Sequence, residues 1–401
     1  MKLVKFFLVG LFLILSIVSN AQQITPNAQI SLLTCSSGEE LYSTFGHSAI
    51  RVKDTTTGQD IVFNYGVFDF DTPHFYWKFV RGKLMYQLAI QSTYRFIQVY
   101  NYEGRSVIEE QFNLTESEKA QLISYLKKNY KPENRYYLYD FFYKNCSSII
   151  WDVVKPRIDT KLNFDSAAYH PKTFRQMLYP SLEKMPWSRF GIDIALGLPA
   201  DKTAGFVEQM FLPDYLSANM SHTHRNTPAN GSKNLLMEEK TLVEKKQNNS
   251  KPGIFTPSMV FWGIFIFFLI ITITIPNSKI IKTADYIFFS LQGLLGLLLL
   301  FLWFGTDHSA MNTNMNLLWA NPIALILVVS MRLRRHKLKT TAVAILIFTS
   351  AAVIIGWNLL PQQFNPVFVP ICLTTIVRGT DHLLQTIKGT TLLGSIKKQA
   401  R

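Results

Sequence analysis

The sequence predicts an α+β domain held outside the cytoplasm, followed by an all-α transmembrane bundle. Three observations carry this. A short apolar leader opens the chain, strand and helix-start signals alternate through 22–216, and apolar runs of membrane-spanning length follow residue 255. Of the 401 residues 48% are apolar and only 17% charged, against roughly 25% charged in a soluble protein. A disordered chain, a coiled coil and a wholly soluble enzyme are excluded.

The net charge of +14 invites a nucleic-acid partner, but its distribution argues against one. From position 277 onward 12 Lys/Arg face 3 acids, and Lys2 and Lys5 add two more positive charges. The span 22–276 is nearly balanced, with 27 Lys/Arg and 24 acids. The basic excess therefore flanks hydrophobic segments, where it sets membrane orientation.

Residues 1–21 read as a signal peptide. Lys2 and Lys5 precede an apolar run, and Ser19-Asn20-Ala21 ends in a small residue. The catalytic-looking domain is expected over 22–216, a flexible linker rich in Ser, Asn, Lys and Glu over 217–254, and a membrane domain of about five helices over 255–378. A basic cytoplasmic tail is expected over 379–401. The expected spans are 257–275, 286–304, 317–331, 340–360 and 366–377. Lys279 and Lys282, and then the cluster Arg332, Arg334, Arg335, Lys337 and Lys339, lie between spans, whereas 305–316 and 361–365 carry no Lys or Arg. The positive-inside rule then puts the N-terminal domain on the periplasmic side of an inner membrane.

Within that domain, 28–34 and 46–53 have strand character, 54–58 is a turn, and 61–67 is apolar and β-branched, which together predict a β-hairpin. Further strands are expected in 87–102 and 106–111. Thr115-Glu-Ser-Glu118 is a capping-box signature opening a helix with Leu122, Ile123 and Leu126 on one face. In YYLYDFFYKNCSSIIWDVV (136–154) an aromatic cluster leads to Asn145, a favoured N-cap type. Cys146 would then lie in a first helical turn, where backbone N–H groups stabilise a thiolate and receive an oxyanion. His47, inside FGHSAIRV beside a glycine, is the candidate general base. If the hairpin closes symmetrically, Asn64 falls opposite Ala49 on the face of His47 and could orient the imidazole.

These residues carry a resemblance. A Gly-His strand followed about a hundred residues later by Asn-Cys opening a helix resembles the circularly permuted papain-like (NlpC-type) fold. LLTCSSGEELYSTFGHSAIRV, FNYGVFDF, PENRYYLYDFFYKNCSS, GIDIALGLPAD, MFLPDYL and, in the membrane part, FGTDHSAMNTNMNLLWANP look like the Lnb-type lipoprotein N-acyltransferase family. The resemblance implies transfer of a fatty acyl chain from a membrane phospholipid to the α-amine of a diacylated lipoprotein. Cys146 would be the nucleophile and His47 its base, with no cofactor.

Other readings stay open. A membrane-anchored cysteine peptidase or amidase acting on cell-wall peptides would use the same Cys146 and His47. A non-enzymatic envelope module would bridge Cys35 and Cys146, since the compartment permits disulfides. Asp307 and His308, with Asn312, Asn314 and Asn316 in the same short outer loop, are candidate substrate contacts. Phe75–Val80 with Arg81 is a candidate membrane-docking edge. His222 and His224 lack nearby acids or Cys and fall short of a metal site.

Overall fold

The computed structural model describes residues 25, 27–227, 231–246, 253–276 and 278–387. The expected signal peptide and the end of the expected tail, 388–401, lie outside them. The N-terminal part is a sheet domain and the C-terminal part a set of helices, several strongly apolar.

The strands of the main sheet begin with the expected hairpin. β1 (Gln29–Cys35), β2 (His47–Asp54) and β3 (Gln59–Val67) are consecutive antiparallel neighbours. Ile50 pairs with Phe63 and Val52 with Ile61, the register that hairpin symmetry demands. β4 (Met85–Ser92), β5 (Val107–Phe112) and β6 (Tyr136–Leu138) follow. A small second sheet uses β7 (Lys161–Phe164), β8 (Thr223–Thr227) and β9 (Gly231–Asn234), and β10 (Leu236–Val243) returns to the main one. The seven-stranded order is β10-β5-β1-β2-β3-β4-β6.

Helices cover both faces, so the central strands are buried on both sides. In chain order the helices are α1 (Phe75–Val80), α2 (Thr93–Glu103), α3 (Glu116–Tyr130), α4 (Ser148–Val154), α5 (Phe174–Leu178), α6 (Pro186–Ala195) and α7 (Pro213–Ser221). Leu32, Ile50 and Phe63 pack on α3 and α4 through Leu122, Leu126, Ile150 and Val154. The alternate residues Leu33, Ala49 and Val62 pack on Phe96 and Tyr100 of α2. The capping box of α3 forms as expected, with the Thr115 side chain and Glu118 satisfying each other's backbone N–H.

Two expectations are corrected. The aromatic stretch 87–102 is not all strand: β4 ends at Ser92, whose hydroxyl accepts from Arg95 N and starts α2. Phe96 and Tyr100, four apart, are a helical pair rather than a period-two pattern. Nor is 217–254 a simple linker. It continues α7 and forms β8, β9 and β10, with Leu236 paired to Phe112 and Val243 to Val107. Leu235, Leu236 and Val243 are buried anchors, and buried Arg225 pairs with Glu118 at 2.6 Å. The Lys and Glu between them face outward along an edge strand, where charge discourages further pairing.

The C-terminal helices are α8 (Pro257–Thr274), α9 (Lys279–Phe304), α10 (Ile323–Arg332), α11 (His336–Ile355) and α12 (Phe368–Ile387). Three of them, α8, α9 and α11, are long and apolar enough to cross a membrane. A fourth crossing arises if Ser309–Leu318 and α10, bent by 44°, count together. The expected span 317–331 is broken because Pro322 has no N–H to donate, and Asn321 takes the Ile323 N–H instead. α12 runs through the expected start of the tail at 379. It does so because Arg378 is buried and bonded to Asp285, Asp381 and Thr272, the pairing that low dielectric requires.

The loops assort by charge. Asn365, in the second Lys/Arg-free loop, donates to Asp193 of α6, and Asn316, in the first, donates to the Asp193 and Ile194 carbonyls. Both loops without Lys or Arg therefore lie against the sheet domain. Lys282, Arg334 and Lys339, from the basic connections, line one pocket elsewhere in the helical part.

Candidate active site

His47 is the first residue of β2, and the turn delivering it requires glycine. Gly46 sits at φ +77, and a Cβ there would meet the Cys35 carbonyl oxygen at 2.7 Å. Across the ladder His47 is paired with Cys35. Its Nε2 lies 2.6 Å from Asn64 Oδ1 on β3. An amide oxygen only accepts, so Nε2 carries a proton and Nδ1 is the nitrogen left free to take or give one.

Cys146 approaches from the other side. The structure starts the regular helix two residues later than the sequence predicts, at Ser148, so the sulfur sits in the turn that feeds α4. Asn145 nonetheless works as the cap: its Oδ1 accepts from Ser147 N (2.8 Å) and Ser148 N (3.0 Å). Its Nδ2 donates to the Phe141 and Phe211 carbonyls, both at 2.8 Å. The N–H groups expected to hold a thiolate are thus taken by Asn145. The sulfur is stabilised instead by His47, the Ser48 backbone N–H and the Ser147 hydroxyl. Ser147 is itself held by Ser48, Oγ to Oγ at 2.9 Å.

These contacts shift both groups. Burial pushes the Cys146 thiol up, but the charge and hydrogen bond of His47, with the Ser48 and Ser147 donors, outweigh it, and the pKa falls below its ordinary value. Burial opposes a charged imidazole at His47, yet the Cys146 thiolate and the Asn64 bond raise its pKa overall. The charged form of each group therefore favours the charged form of the other. Cys35 is different: fully buried, its thiol is pushed up to about 12. All three cysteines are free thiols, so the Cys35–Cys146 bridge of the non-enzymatic reading is not formed.

Two further residues shape the site. Gly66 interrupts β3 at φ +88, at a ladder irregularity between Asn64 and Val67, and its missing Cβ would stand 3.2 Å from Cys146 Cβ. FNYGVFDF contains that glycine, and a glycine inside a strand pattern is the cue for close approach. Asp140 shapes the turn before Cys146. Its Oδ1 accepts from Phe142 N and Tyr143 N, and its Oδ2 accepts from Ser309 of the outer loop.

Asp307 and His308 are brought to the sheet domain rather than left free. Asp307 lies 3.7 Å from Lys83, and His308 Nε2 lies 3.1 Å from both the Phe79 and Val80 carbonyl oxygens. The loop thus clasps the end of α1, while Trp77 of α1 stacks on Phe301 of α9 at 6.0 Å. Asn314 and Asn316 satisfy the last carbonyls of α6, a structural task. Cys146, His47 and Asn64 therefore converge, and Asp307 and His308 form part of the seam between sheet and helices. Among the described residues no group of three or more His, Cys, Asp or Glu is placed to hold a metal ion.

A family model described as the Lnb N-terminal periplasmic domain matches residues 19–179, which include all three converging residues. A second, described as the Lnb transmembrane domain, matches residues 247–390, so the two span most of the chain. No curated protein and no solved structure matches it.

Proposed function

Because the chain belongs to the Lnb family, we propose that it is a cysteine-dependent lipoprotein N-acyltransferase of the inner membrane. The acyl donor is a membrane phospholipid and the acceptor the free α-amine of a lipoprotein's N-terminal diacylglyceryl-cysteine. The observation that carries the reading is the Cys146–His47–Asn64 arrangement beside a seam leading to apolar helices.

In the first half-reaction the Cys146 sulfur attacks a phospholipid ester carbonyl, forming a C–S bond. As the C–O bond breaks, His47 Nδ1, holding the thiol's proton, passes it to the departing lysophospholipid alkoxide. In the second, the amine nitrogen attacks the thioester, the C–S bond breaks, and His47 takes the ammonium proton as the thiolate is restored. Asn64 keeps the imidazole turned with Nδ1 toward the sulfur. A thioester suits this chemistry because it persists where water is excluded yet yields to an amine. The order His before Cys fits a circularly permuted papain-like core. The topology is multi-pass, with the basic connections in the cytoplasm and the site at the outer leaflet.

The test is a Cys146→Ala allele in cells lacking the wild-type copy. Mass spectra of lipoprotein N-termini should show one acyl chain fewer and a free amine. Unchanged N-acylation with altered wall peptides would move the assignment to an amidase of the same site.

A further inference from the structure

Under the outer loop lies a cavity of about 350 Å³ that the reaction as written does not use. Its walls are mostly apolar and come from both parts of the molecule: Phe45, Leu84, Tyr139 and Phe141 from the sheet domain, Ile192 from α6, and Ala310 from the loop after α9. Two of these walls belong to the segments that bring the reacting groups together. Phe45 is two residues before His47, Phe141 is five before Cys146, and their rings meet edge to face at 5.3 Å. The Phe141 carbonyl accepts from Asn145, which caps the nucleophile's turn. Tyr139 stacks on Tyr86 at 4.3 Å, both line the cavity, and the Tyr139 phenol lies within the electrostatic reach of Cys146.

The lining of the cavity also reaches the exposed aromatic segment that packs on α9. Phe79 of α1 lines it and is 49% exposed, and the neighbouring Trp77 packs on Phe301 near the outer end of α9. Tyr76 and Phe70 are exposed on the same segment, aromatic types that favour the membrane interface. An apolar cavity that shares Phe141 with the turn leading to Cys146 and Phe79 with the exposed aromatic segment matches a single extended hydrocarbon chain.

We infer that this cavity receives the fatty acyl chain of the donor lipid from the outer leaflet and sets the length of chain transferred. The inference rests on the acyltransfer reading of Cys146 and adds the chain's location and its selecting residues. Ala195 and Leu84, both on the lining, decide the usable length: a larger side chain at the first shortens the cavity, and a smaller one at the second widens it.

The test uses the full-length protein in phosphatidylethanolamine vesicles doped with a phospholipid bearing a diazirine near the methyl end of one chain. Irradiation should label cavity-lining peptides around Leu84, Ile192 and Ala310 in both the wild type and Cys146→Ala. Label confined to the lipid-facing sides of α8 and α9 would overturn the inference, whatever the fate of Cys146. With mixed lauroyl and stearoyl donors, Ala195→Phe should raise the lauroyl-to-stearoyl transfer ratio about tenfold, the discrimination a packed apolar pocket achieves. Leu84→Ala should move the ratio the other way. A wild-type chain profile in active forms of both variants would also overturn it. Undiminished transfer by Cys146→Ala would instead sink the acyltransfer reading, a separate outcome.

Discussion

At the scale of single residues, the site works by making each of two ionisations support the other. Burial opposes the charged form of both Cys146 and His47; their proximity, the Ser48 N–H and the Asn64 amide outweigh it, lowering the first pKa and raising the second. The proposed reaction needs a thiolate–imidazolium form, which is lost at acid pH when the sulfur is protonated and at alkaline pH when the raised His47 pKa is passed. Asn64→Ala removes a bond that favours protonated His47, so the alkaline limb of the kcat/KM profile should move to lower pH. A hydrogen bond to a charged group is worth about 1.5–3 kcal/mol, so transfer should fall about 10- to 100-fold. An alkaline limb that stays put while activity drops would show Asn64 to be a packing residue only. Asn64 was reachable from sequence because antiparallel register is arithmetic. Gly66 carries only the cue of a glycine inside a strand pattern; what approaches it depends on Cys146 arriving from a distant part of the chain.

Elements were legible where a local signal and the packing agreed. The β1–β2–β3 hairpin, the capping box of α3 and the helix after Asn145 all carry turn or cap chemistry within a few residues. The misread elements are those whose identity is set by contacts far away. β10 is polar along most of its length and is a strand because β5 offers it an open edge. Leu236 is 4% exposed there and packs in the core with Phe112, so Leu236→Ala should lower stability by about 3 kcal/mol. Chemical unfolding of the detergent-solubilised protein measures this. A loss under about 0.5 kcal/mol, the ordinary size of a surface change, would mean that the segment is the tether its composition implies. In the membrane part, Gly293 and Gly296 of α9 let the backbone around Ala320–Leu325 approach so closely that a Cβ at Gly296 would meet the Ala320 oxygen at 2.4 Å.

For the whole molecule, the sheet domain and the helices form one clasped assembly. Arg175, fully buried, holds Asp193 at 2.9 Å and Asp201 at 2.8 Å, and Asn365 reaches Asp193 from the helical part at 2.8 Å. This seam carries the cavity and faces the two loops that contain no Lys or Arg. In a Cys146→Ala background, a membrane-impermeant maleimide should therefore label Leu359→Cys in spheroplasts and Lys337→Cys only after lysis. Equal labelling of both in spheroplasts would overturn the multi-pass orientation. Legible in the sequence by itself were the two-part architecture, a periplasmic N-terminal domain followed by a transmembrane one, and the residues proposed as nucleophile and base. Each of these follows from local composition, from charge placement or from a motif a few residues long. Only the tertiary structure decided that the presumed tether is a strand, that Asn145 consumes the helix N–H groups, and that an apolar cavity lies along the seam. Those facts depend on which distant surfaces meet, and burial and hydrogen-bond satisfaction between remote segments leave no periodic trace along the chain.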